Sequence, residues 1–94
     1  MYNQNQYQWK NIVGVNSPAV TVFSGSGTLH SVVINSFGTG GVITLADAGS
    51  PAVTIGTITL SGSPFTTILY DVSISGGLTV KTSASPDITV TWQK

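Results

Sequence analysis

Leu78-Thr79-Val80-Lys81-Thr82, the turn Ser83-Ala84-Ser85-Pro86, and Asp87-Ile88-Thr89-Val90-Thr91-Trp92-Gln93 together alternate apolar and polar side chains on both sides of one chain reversal. Leu78 and Val80 face one way, Thr79 and Lys81 the other; Ile88, Val90 and Trp92 oppose Thr89, Thr91 and Gln93. Period-two alternation with threonine outward predicts an antiparallel pair of strands with one face in a core. The same texture extends through the chain. Thr, Val and Ile dominate, and their branched Cβ atoms suit a pleated surface. Gly, Pro, Ser and Asn punctuate the chain at the spacing of a sandwich or barrel. The expected strands are Lys10–Asn16, Ala19–Ser24, Thr28–Ser36, Val42–Asp47, Ala52–Ser61, Phe65–Ser75, Leu78–Ser83 and Asp87–Gln93. No helical apolar stripe survives the intervening Gly and Pro residues. The expectation is a single all-β domain, an antiparallel sandwich of about eight short strands.

Two segments depart from clean alternation. Val32-Val33-Ile34 and Thr67-Ile68-Leu69-Tyr70 are apolar on both faces, which predicts a second face set against another layer or another subunit. The first ten residues, MYNQNQYQWK, interleave amides with Tyr2, Tyr7 and Trp9. Such rings bring large contact area at low entropy cost, so residues 1–9 read as an extended arm docking on a neighbour, and residues 10–94 as the sandwich. The arm lacks the apolar stretch of a signal peptide, and no apolar run reaches the roughly 20 residues of a membrane span.

Charge excludes more than pattern does. The 94 residues carry three bases (Lys10, Lys81, Lys94) and three acids (Asp47, Asp71, Asp87), 6% in all, for a net charge of zero. Nucleic-acid binding lacks its basic patch. With no cysteine, disulfides and thiolate zinc sites are excluded. A surface this neutral gives up the repulsion that keeps free domains apart, which predicts that much of it lies against other subunits.

Candidate chemistry is sparse, and no cofactor is expected. His30, the one histidine, sits on the strand face opposite Leu29 and reads as a satisfied polar residue rather than a general base. Gly25-Ser26-Gly27 and Ser61-Gly62-Ser63 do not match a nucleophile elbow. Gly38-Thr39-Gly40-Gly41 lacks the lysine and helix of a phosphate loop and reads as a hairpin turn. Asp47 and Asp87 stand at turns, where aspartate bonds nearby backbone N–H groups, so a shared cation site is not expected. Asp71 interrupts an apolar run, as a charge does at a subunit contact or on a guarded strand edge. The candidate contact residues are Tyr2, Tyr7, Trp9 and Asp71.

The run from Gly25-Ser26-Gly27-Thr28-Leu29-His30-Ser31-Val32-Val33-Ile34-Asn35 through Gly41-Val42-Ile43-Thr44-Leu45-Ala46-Asp47, Thr57-Ile58-Thr59-Leu60 and Tyr70-Asp71-Val72 to Gly77-Leu78-Thr79-Val80 and Asp87-Ile88-Thr89-Val90-Thr91-Trp92 resembles the small all-β structural proteins of tailed bacteriophages. These serve as capsid decoration (cement) proteins or as head- and tail-associated modules. The resemblance covers about Gly25 to Trp92 and brings no catalytic residue with it. It implies a β-sandwich or jelly-roll module, often a homotrimer, on the outside of a capsid. The implied partner is the major capsid protein, and the implied location is the virion surface after synthesis in the host cytoplasm. A host-binding module of a head fibre or tail tip is the alternative.

Overall fold

In the computed structural model, which describes residues 7–38, 40–60 and 66–94, eight strands form two four-stranded sheets. In chain order they are β1 (Gln8–Val13), β2 (Asn16–Ser24), β3 (Gly27–Ser36), β4 (Gly41–Asp47), β5 (Val53–Leu60), β6 (Thr66–Ile74), β7 (Gly77–Thr82) and β8 (Asp87–Gln93). The first sheet runs β1-β8-β3-β6 and the second β2-β7-β4-β5, with every pairing antiparallel. The pairs β1·β8, β2·β7, β3·β6 and β4·β5 nest like the rungs of one long hairpin. Rolling that hairpin brings β8 against β3 and β7 against β4. This is the jelly-roll arrangement of the antiparallel sandwich.

Alternation explains the core. Ile88, Val90 and Trp92 of β8 and Leu29, Val32 and Ile34 of β3 point inward from the first sheet. They meet Leu78 and Val80 of β7 with Ile43 and Leu45 of β4 from the second. Phe23 stacks on the Trp92 ring at 5.6 Å and closes one end of the layer. The buried Thr82 hydroxyl donates to the Gly14 carbonyl at 2.7 Å and accepts from the Asn16 N–H at 2.9 Å, so its burial leaves no unmet polar group.

All eight expected strands are present, but the expected hairpins are not. β7 and β8 do not pair with each other: the chain changes sheet at Ser83-Ala84-Ser85-Pro86. The Gly38–Gly41 turn likewise joins β3 of one sheet to β4 of the other. Among the described residues, only β4 and β5 form a hairpin between consecutive strands. A corner between sheets uses the same Gly, Pro and Ser chemistry as a hairpin turn, so punctuation marks the reversal without saying where the chain returns. The corners are tightly set: a Cβ on Gly38 would overlap the Ser85 carbonyl, and both Gly38 and Gly41 are left-handed.

Strand boundaries shift most at the N-terminus. β1 starts at Gln8, two residues before the expected Lys10, and stops before Gly14, whose φ of 83° reverses the chain. β2 then begins at Asn16 and carries Pro18 in the register shift between Asn16 and Val20 of this edge strand, where its missing N–H interrupts no ladder pair. Tyr2, Thr39 and the expected strand ends Ser61 and Phe65 lie outside the described residues.

Candidate interaction surface on the first sheet

The outer face of the β1-β8-β3-β6 sheet gathers the unusual side chains. Its geometry starts from two irregularities at the same height. Between Leu29 and Ser31, β3 spends one residue more than β8, whose Trp92 and Thr91 are consecutive. Over the same step β6 spends one more than β3, passing from Val72 to Leu69. The bulges bring His30 opposite Asp71, and Asp71 takes a left-handed φ of 49°. Aspartate tolerates that region better than a branched or bulky residue would.

His30 Nδ1 lies 2.6 Å from Asp71 Oδ1. The Tyr7 ring covers the imidazole, with centroids 3.9 Å apart and planes 9° from parallel. Beside this group the Ser31 and Thr91 hydroxyls share a 2.6 Å hydrogen bond. Trp9, paired with Thr91, is 69% exposed, and Leu69, paired with Ser31, is 65% exposed. Toward the other end of the face, Asn11 Nδ2 donates to Asp87 Oδ1 at 2.7 Å and Asn35 Nδ2 donates to it at 3.2 Å. Asn35 also donates to Thr89 Oγ1 at 3.0 Å, so β1, β8 and β3 are laced by amides across their outer side.

Three of the four expected contact residues, Tyr7, Trp9 and Asp71, thus occupy one face; Tyr2 lies outside the described residues. His30, read from sequence as a bland polar residue, is the link between Tyr7 and Asp71. Its position opposite Leu29 was visible in the alternation, whereas the paired bulges that aim it at Asp71 depend on strands 41 positions apart. Among the described residues no hydroxyl is bonded to the second imidazole nitrogen.

The three aspartates serve three separate places. Asp87 holds the two asparagines. Asp47 spans two corners of the fold: its carboxylate accepts the N–H groups of Ser75 at 2.9 Å, Gly76 at 2.8 Å and Gly49 at 3.2 Å. Those bonds, the Ser75 N–H first, hold its carboxyl below the usual value of 3.8. On the inner side of β6, burial raises the Tyr70 phenol, whose hydroxyl lies over Gly56 of β5. Among the described residues there is no enclosed cavity and no group of three or more metal-ligating side chains. The face presents exposed Tyr7, Trp9, Val13 and Leu69 with two carboxylates, Asp71 and Asp87, each hydrogen-bonded within it. Compared with protein-family models and with curated proteins, the chain matches none.

Proposed function

We propose that this domain is a bacteriophage structural protein without catalytic activity, which decorates the outer surface of an assembled capsid and cements its major capsid protein subunits. The outer face of the first sheet carries the reading. Tyr7, Trp9 and Leu69 stand exposed there near the His30–Asp71 pair, and Val13 is exposed at the other end beside Asp87, on a chain with six charged side chains. Burying such a face desolvates little charge and covers aromatic groups of the kind that anchor interfaces. The jelly roll adds analogy only: capsid proteins and lectins share it. A protein that binds the assembled shell and not its separate subunits stabilises the shell by mass action, about 2.7 kcal/mol per site at a hundredfold excess over Kd. Because attachment uses few charges, it should vary little with salt.

The same face favours one second reading. Exposed rings beside the Asp71 carboxylate and the Asn11 amide are what a sugar reader presents, and that supports a host-binding module of a head fibre or tail tip. Cryo-microscopy of intact particles containing the protein separates the two. Regular density across the capsid lattice is expected; density confined to the tail or to one vertex would replace decoration with host binding.

A further inference from the structure

A sheet edge is a template for another strand, and three of the four edges in this sandwich are blunted. β1 is six residues long and carries Lys10. β2 carries Pro18 and two register shifts. β6 carries Asp71 at its left-handed bulge. β5 differs: Val53-Thr54-Ile55-Gly56-Thr57-Ile58-Thr59-Leu60 contains no charge and no proline. Its one irregularity lies at Ile55, and from Gly56 to Leu60 it pairs with β4 without interruption. Among the described residues no strand lies beyond it.

We infer that two copies of the chain pair antiparallel through β5, joining their second sheets into one continuous sheet. A second copy is the occupant because pairing about a twofold axis sets residues equidistant from the axis opposite one another, so the edge must be compatible with its own reversed sequence. At β1 that brings both Lys10 side chains into one six-residue ladder and at β6 both Asp71 side chains into one bulged ladder, while at β5, centred on Ile58, it opposes Thr57 to Thr59 with no charge on either strand. Pairing one strand buries less than about 1,200 Å², so the dimer forms and dissociates with concentration. It closes at two copies, in place of the trimer that the phage resemblance implies, and it stands independently of the capsid reading.

Thr57 and Thr59 are exposed, so lysine at either position leaves the core intact. Sedimentation of the full chain should show a monomer–dimer equilibrium with a dimer of twice 9.7 kDa. Thr57→Lys and Thr57→Asp should each weaken it about tenfold or more, and an equimolar mixture of the two should restore a 1:1 dimer. Thr67→Lys, a matching exposed change on β6, should leave the wild-type equilibrium in place. A wild-type protein that stays monomeric at millimolar concentration overturns the inference. So does a charge-swapped mixture that stays monomeric, or equal weakening by Thr67→Lys.

Discussion

The four central strands and the four edge strands obey different rules. In β7 and β8 burial alternates residue by residue, and Leu78, Val80, Ile88 and Val90 are wholly enclosed. In β5 and β6 the inward residues are mostly half-buried, and Thr57 and Leu69 are open. Central strands have a neighbour on each side and a sheet beneath, so packing alone dictates their residues. Edge strands satisfy packing on one flank only. The other flank is where charges and contacts with other molecules are decided.

The sharpest way to break this contrast is to remove matched apolar groups from each region. Leu45→Ala, in central β4, should cost about 2–5 kcal/mol in urea denaturation. Ile58→Ala, in edge β5, should cost less than about half of that, because its surroundings are already partly wet. Equal losses would remove the distinction.

A smaller effect is expected where edge and centre meet at a corner. A Cβ on Gly76 would lie 2.5 Å from both the Cα and the N of Gly49, so the two corners must part to admit it. Gly76→Ala should therefore destabilise by about 1–3 kcal/mol, read from the thermal midpoint. A neutral result would show that these corners are loosely held.

Asp47 sharpens the same point through pH. Its carboxyl is lowered in the folded chain, so its contribution is fully present above its ordinary value of 3.8 and is lost as pH falls through the lower folded value. Urea midpoints measured from about pH 5 down to about pH 2 should fall more steeply for the wild type than for Asp47→Asn. Parallel curves would mean that the corner does not depend on the charge.

The smallest effect belongs to the β6 edge. Asp71→Gly loses the contact to His30 but relaxes the left-handed backbone, and these nearly offset, leaving stability within about 1 kcal/mol. Asp71→Ala loses the contact and keeps the strain, so it should be the less stable of the two by calorimetry.

The contrast also explains what could be read in advance. β8 was legible to the residue, Asp87–Gln93, because both of its neighbours and the core impose one alternation. The all-β class followed from the same signal repeated. The sheet changes at each corner were not legible, since Ser83–Pro86 would serve a hairpin equally well. Tyr7, Trp9 and Asp71 stood out as rings in a polar segment and a charge in an apolar one. Their meeting at His30 depends on two bulges in different strands, and no local pattern specifies a bulge that exists only relative to a partner.

Nesting the first strand on the last has a consequence for how the chain is made. Gln8 pairs with Trp92 and Val13 with Asp87, so the β1 ladder cannot begin until the final strand has been synthesised. β2 likewise waits for β7, and only the β4–β5 hairpin can close early. Growing chains therefore expose sparsely charged, strand-prone segments until β8 has emerged. Removing only the last seven strand residues, Asp87–Gln93, would leave β1 with no partner and β3 with one open flank. The fold is completed by β8 or not at all.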